Sequence, residues 1–316
     1  MRVLITGAAG NLGGMLARYL LDSSDHVLNL MVHRHPVSAD LAHHGRVNVY
    51  QCDLAKPETL LEVCAVSDVV VHFAGVLFAP RPEKFLPVTN VLYTQHLVNA
   101  AIAGTVKRFI LISFPHVEGP TSLDDPCTGR QDREPVSVHA KTRLAAEQYL
   151  MEKARGSGMR AISLRPGMIY GREVLMMSFA NKLARKRLLG VWKKATPIHL
   201  ISIDDFNACC QTAIESPNAQ GIYPLGDDGP TTLQDVLDAL WNHWNVRKPW
   251  RVPVWSVYLV AGMCETFAKI ARTRTPFTVD FIQIGRVPYY CDTSRMKAEL
   301  LPRLKYPSFK EGLSIL

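Results

Sequence analysis

Apolar and polar positions alternate along this chain between two rhythms. Val3-Leu4-Ile5 is an unbroken apolar run, the pattern of a strand buried on both faces. Behind it Leu12, Met15, Leu16, Tyr19 and Leu20 recur at helical spacing. The pair then repeats. Val27–Val32 predicts a second strand, Val47–Gln51 a third, and Val69-Val70-Val71-His72-Phe73-Ala74-Gly75 a fourth that ends in small residues. Helical spacing spans 88–103, strand pattern 108–112, and a long helix 138–154 is stopped by Gly156-Ser157-Gly158. Residues 160–164 read as a sixth strand and Gly221–Leu225 as one more. Thr231 or Thr232 caps a helix that carries Val236, Leu237, Leu240, Trp241 and Trp244.

Strands that alternate with helices predict an α/β fold, a doubly wound parallel sheet of the Rossmann kind. We divide it into a dinucleotide-binding domain over 1–230, with 170–200 facing the substrate, and a mainly helical substrate-binding or lid region over 231–316.

The turn after the first strand carries Gly7, Gly10 and Gly13 at spacing G-x-x-G-x-x-G. A strand before it and a helix after it give the context in which such glycines cradle a pyrophosphate. Backbone N–H groups and the positive end of the helix dipole face the anion there, where side chains would block it. The second strand ends in His33-Arg34-His35, about 20 residues beyond Gly13, where an Asp or Glu would bind the ribose 2′-hydroxyl of NAD. No acid stands there. Arg34, helped by His33, can pair with a 2′-phosphate, so NADP is expected, with NAD as the alternative. Asp53 either borders this site or caps a helix starting near Pro57.

Composition narrows the partners. The chain has 316 residues, 47% of them hydrophobic, and a net charge of +8. That suits one large domain or two coupled ones, and a preference for anionic ligands such as nucleotides or an acidic membrane surface. No nucleic-acid-binding motif is present. Seven cysteines, odd in number and without C-x-x-C spacing, argue for a reducing compartment and against a disulfide framework or a metal site. The first strand begins at residue 2, leaving no room for a signal peptide, so a cytoplasmic protein is expected. Lys182, Arg185, Lys186, Arg187, Lys193 and Lys194 crowd one segment. Residues 252–264 are mostly apolar but too few to span a bilayer. They read as a buried helix, a lid over a lipophilic substrate, or an interfacial helix.

These residues resemble the extended short-chain dehydrogenase/reductase superfamily, in its epimerase/dehydratase and 3β-hydroxysteroid-dehydrogenase-like branch. The likeness rests on Thr6-Gly7-Ala8-Ala9-Gly10-Asn11-Leu12-Gly13, Cys52-Asp53-Leu54, His72-Phe73-Ala74-Gly75 and Thr89-Asn90-Val91. It continues through Leu164 to Gly171, His199 to Phe206, Tyr290 to Arg295 and Glu311-Gly312-Leu313. By resemblance Gly7, Gly10, Asn11, Leu12 and Gly13 hold the pyrophosphate. Asp53 and Leu54 flank the adenine, Phe73, Ala74 and Gly75 line the cofactor groove, and Pro166 and Gly167 lie near the nicotinamide.

The family's catalytic Ser/Thr, Tyr and Lys are altered. Setting Thr142-Arg143-Leu144-Ala145-Ala146-Glu147 on the usual S-K-L-A-A-E puts His139 where Tyr belongs and Arg143 where Lys belongs. Ser113 is kept, but Phe114-Pro115 follow where the Ser/Thr usually stands. His139, Arg143 and Ser113 are therefore the catalytic candidates, with His116 and Tyr170 behind them. A neutral His139 can serve as a base, and Arg143 can bind ribose hydroxyls. Three readings stay open: an NADP-dependent oxidoreductase or epimerase at a secondary alcohol or ketone, of a lipophilic or natural-product substrate; a non-catalytic NADP sensor; and a redox-neutral lyase or cyclase. The resemblance also implies a homodimer, with helices 88–103 and 138–154 forming a four-helix bundle across the two-fold.

Overall fold

Val3, Leu4 and Ile5 have no exposed surface in the computed structural model, which describes residues 1–75, 82–188, 190–271, 273, 275 and 277–316. The reason is position. Strand β1 (Arg2–Thr6) runs parallel between β2 (Val27–Val32) and β4 (Val69–His72), with Ile5 beside Leu30 and Val71. Beyond β2 lies β3 (Val47–Gln51). Beyond β4 come β5 (Arg108–Ile112), β6 (Arg160–Pro166) and, at the far edge, β7 (Gly221–Leu225). Among the described residues this is a seven-stranded parallel sheet in the order 3-2-1-4-5-6-7. The strand order reverses beside β1, and the crevice at the carboxyl ends there is where such sheets bind ligands.

Two layers of helix cover the sheet. Alternate side chains point to opposite faces: Val3, Ile5, Val69 and Val71 enter one core, and Leu4, Val70, Phe109 and Leu111 the other. The first core is closed by α1 (Asn11–Ser23) through Leu16 and Leu20. The second is closed by α2 (Tyr93–Ala103) and α3 (Val138–Ala154) through Leu97, Val98 and Leu150.

The helix expected over 88–103 is two pieces. Residues 87–92 form a wide π-helical turn, in which the Tyr93 N–H reaches Val88 O, and only Tyr93–Ala103 is regular. The widened turn carries Asn90 to α3, as the site requires.

Beyond β6 the chain adds helices and short strand pairs besides the edge strand β7. There α4 (Leu175–Arg185), α5 (Ile203–Glu215), α6 (Leu233–His243), α7 (Val254–Ile270) and α8 (Val279–Arg286) are joined by three short strand pairs. Thr232 caps α6, its Oγ1 accepting from the Asp235 N–H at 3.1 Å. Val236, Leu240, Trp241, Met296 and Leu300 share the core that holds β1 and α1. Val191, Trp192, Val257, Ala261 and Ile282 form a smaller core under α7. The apolar stretch at 252–264 is only half buried: α7 hides Val257, Ala261 and Ala268 and leaves its other face open. No helix among the described residues is long and apolar enough to cross a membrane.

Candidate active site

The glycine turn is closed by backbone. Gly7 takes φ +71°, and a Cβ on it would stand 2.9 Å from Ala74 N. A Cβ on Gly13 would stand 2.5 Å from Gly7 O, and one on Gly10 3.0 Å from the same oxygen. Side chains are excluded, and Gly10 caps α1 without any side-chain bond. The first N–H groups of α1 are thus left for an anion, so these residues fit a dinucleotide pyrophosphate. Leu12 packs on the main core. The Asn11 side chain is engaged by backbone. Its Nδ2 donates to Glu173 O at 2.8 Å, and its Oδ1 accepts from the Leu175 N–H at 2.7 Å. It ties the turn to the start of α4.

At the far end of the crevice, His33 and Arg34 are exposed beyond β2. His33 Nε2 lies 3.7 Å from Asp53 Oδ2, while Asp53 Oδ1 accepts from the Ala55 N–H at 3.0 Å. Asp53 therefore does not cap the short helix 57–59, whose N-cap is Lys56. The Leu54 carbonyl bonds to His96 Nδ1 at 2.8 Å.

Phe73, Ala74 and Gly75 follow β4 at the middle of the cleft. The Ala74 N–H donates to Thr6 Oγ1 at 3.2 Å, and the Phe73 ring meets Phe206 edge-on at 6.2 Å. Arg143, half-buried on α3, lies against Gly75: a Cβ there would stand 3.0 Å from its Nη2. Its Nη1 is buried with no hydrogen-bond partner among the described residues, and desolvation pulls the guanidinium pKa down to about 10. A buried orphan donor of this kind is costly unless something accepts from it. A ribose hydroxyl fits.

His139, one turn before Arg143, is buried. Its tautomer follows from its neighbours. The Thr142 hydroxyl donates to His139 O at 2.9 Å, so its oxygen accepts from Asn90 Nδ2, 3.2 Å away. Asn90 Nδ2 also faces His139 Nδ1 at 3.4 Å. Nδ1 is then the acceptor and Nε2 carries the proton. Burial, then the positive charge of Arg143 and then His116, push the His139 pKa down to about 3. The imidazole is neutral, as expected, but its bare nitrogen is spoken for by Asn90.

The Phe114 ring lies between His139, at 5.0 Å, and His116, at 5.1 Å, and His116 rests on Tyr289 at 4.4 Å. Ser113 follows β5; its Oγ is buried and without a partner among the described residues. Pro166 is buried at the end of β6. A Cβ on Gly167 would strike His199 O, so only glycine fits beside that strand. Tyr170 belongs elsewhere. It is fully buried, edge-on to Phe309 at 4.9 Å, and a Cβ on Gly312 would collide with its hydroxyl. It anchors the C-terminal segment.

Sequence reasoning passed over one charged network. The Arg165 side chain has no exposed surface and bonds Glu118 Oε1 at 2.5 Å and Glu147 Oε2 at 3.0 Å. Glu118 also accepts from the Gly129 and Arg130 N–H groups at 2.6 and 3.0 Å. The loop 115–135 is thereby fastened to β6 and α3. The available signal was an arginine inside an otherwise buried strand, which requires acidic partners.

Known proteins share this fold. The family model described as NAD dependent epimerase/dehydratase family matches residues 3–226. The chain is 27% identical over 248 residues to the uronate dehydrogenase of Pseudomonas syringae pv. tomato, covering 78% of each chain. It is 28% identical to the UDP-glucose 4-epimerase of Vibrio cholerae, covering 72% of this chain and 70% of that one. Among solved structures, the Bordetella bronchiseptica enzyme WbmG in complex with NAD superposes with a TM-score of 0.77 at 18% identity, over 99% of this chain and 92% of the other. A UDP-glucose 4-epimerase of Thermotoga maritima with UDP-glucose gives 0.76 at 17%, over 100% and 97%. The sheet order, the glycine turn and the matched span together place the chain in the NAD dependent epimerase/dehydratase family.

Proposed function

We propose that this protein is a nicotinamide-dinucleotide oxidoreductase or epimerase that works on a secondary alcohol or ketone of a sugar or nucleotide-sugar substrate. The observation that carries the reading is the buried Nη1 of Arg143, unpartnered among the described residues, against Gly75 and one helical turn from His139. The glycine turn would hold the pyrophosphate and Arg143 a ribose hydroxyl. Arg34 and His33 would meet a 2′-phosphate, which favours NADP over NAD. When bound, the dinucleotide supplies or accepts hydride. His139, with its proton on Nε2, donates a hydrogen bond to the substrate oxygen as a neutral imidazole, and Ser113 Oγ adds a second polar contact. A pKa near 3 leaves almost no imidazolium at neutral pH, so the proton that completes reduction comes from water. A lipophilic or natural-product portion of the substrate is read from exposed Leu175, Met176 and Phe179 on α4, whose first turn Asn11 holds at the cleft.

The test is turnover. Purified protein with reduced or oxidised dinucleotide and a panel of UDP-sugars and uronic acids should change the nicotinamide absorbance or invert a sugar centre. Tight dinucleotide binding without either reaction would overturn the enzyme reading. It would favour a dinucleotide-sensing role, the second reading, to which the packing of His139 against Phe114 lends support.

A further inference from the structure

The open face of α7 is apolar from end to end. Trp255 is 66% exposed, Leu259 56%, Met263 63%, Phe267 68% and Ile270 78%, and Val260 also lies open. At 3.6 residues per turn these six cover about 140° of the helix circumference. The stripe runs the length of a helix roughly 25 Å long. Only Ser256 and Thr266 interrupt it, and neither offers a free donor. The Ser256 hydroxyl donates to Pro253 O at 2.7 Å and that of Thr266 to Gly262 O at 2.8 Å. A face with its polar hydrogens turned back into its own backbone is suited to hydrocarbon.

The sequence around this face is basic. Residues 244–274 contain six basic side chains and one acidic one, Glu265, which is engaged with the Val279 N–H at 2.8 Å. At the N-terminal end of α7, Arg187, Arg247, Lys248 and Trp250 line one cleft. Strand pairing sets Trp250 beside Gly190, and exposed Leu188 lies two residues before that glycine. Lys248 and Arg251 both pair with Asp238, whereas Arg187 and Arg247 have no ion pair among the described residues. Lys193, Lys194 and Lys269 are exposed nearby in sequence. Tryptophans at one end, an apolar stripe and basic flanking sequence are the makings of a helix that lies in the plane of a bilayer.

We propose that α7 docks this protein on an anionic lipid bilayer, with Trp255, Leu259, Met263, Phe267 and Ile270 among the acyl chains and Arg187 and Arg247 at the headgroups. The anchor is peripheral: a single interfacial helix plus basic charge gives reversible binding. It requires neither dinucleotide nor substrate, so its failure and that of the enzymatic reading are separate results.

Flotation of the full chain with phosphatidylcholine vesicles, with and without phosphatidylglycerol, tests the proposal. The protein should float with the anionic vesicles, less with the neutral ones, and less as salt rises. Met263→Glu/Phe267→Glu changes only exposed positions, so its thermal melt should match wild type while flotation is lost. Arg187→Glu/Arg247→Glu should weaken binding at least about tenfold, since each basic residue near the surface contributes on the order of 1 kcal/mol. Wild-type protein that fails to float with anionic vesicles at low salt overturns the proposal. So does a wild-type dimer that becomes monomeric in Met263→Glu/Phe267→Glu without any vesicle binding, because the face would then belong to a second copy.

Discussion

Asn90 Nδ2 faces His139 Nδ1 at 3.4 Å and thereby sets which nitrogen of the imidazole carries the proton. An amide donor at Nδ1 leaves the proton on Nε2. Asn90→Asp would turn that donor into an acceptor, move the proton to Nδ1 and raise the His139 pKa. NMR titration of the ring should show the upward shift, and turnover should fall. His139→Phe should lower kcat by about 10²-fold or more, the usual worth of one preorganised hydrogen-bond donor to the reacting oxygen, while dinucleotide affinity stays within a factor of about two. Unchanged turnover in His139→Phe would remove this residue from the mechanism.

Arg34 is exposed at the end of β2 with no ligand-binding acid in the neighbouring positions 33 and 35. Arg34→Ala should weaken NADPH binding about tenfold, the worth of one charge-assisted contact, and leave NADH binding unchanged. Calorimetry with both dinucleotides reads the difference. Equal loss for the two would refute the NADP preference.

Three buried histidines make stability depend on pH in one direction. Burial lowers His72 to about 3, His116 to about 4 and His139 to about 3. Above the ordinary value of about 6.5 both folded and unfolded chains are neutral at these sites, and nothing is gained or lost. As pH falls below it, the unfolded chain takes up protons that the folded one refuses. Stability should then drop by roughly 1.4 kcal/mol per pH unit for each histidine, until the folded values near 4 and 3 are reached. Denaturant midpoints between neutral pH and about pH 5 would show the slope, and His116→Phe should reduce it by one proton's worth.

Helices α2 and α3 touch within the chain, with the Tyr149 hydroxyl donating to Asn99 Oδ1 at 2.8 Å. We expect a second copy to complete a four-helix bundle on them. Light scattering should give twice the chain mass. A monomer at micromolar concentration would exclude that bundle.

The sheet could be read from the sequence because runs such as Val69-Val70-Val71 and Phe109 to Ile112 are apolar on both faces, which only a strand covered by helices on two sides tolerates. The glycine turn was equally legible, since Gly7, Gly10 and Gly13 each answer a backbone contact visible as spacing. The π turn at 87–92 was not, because apolar spacing is nearly the same for a π and an α turn over six residues. Glu118 was silent for another reason: its partner Arg165 is 47 residues away, and a polar residue in a polar loop gives no hint that folding will bury it. The open face of α7 was hidden as well, since a hydropathy pattern shows which residues are apolar but not which of them find cover.

The Asn11 amide, finally, does something to the field in the cleft. It is the first residue of α1, and its Oδ1 holds the N–H of Leu175, the first residue of α4. Two helix amino-termini, each the positive pole of its dipole, are tied together by one side chain. Like poles repel, and no acidic side chain stands in the first turn of either helix to relieve them. An anion taken up at the first turn of α1 would therefore do more than occupy a site: its charge would offset the repulsion between α1 and α4 and favour their meeting.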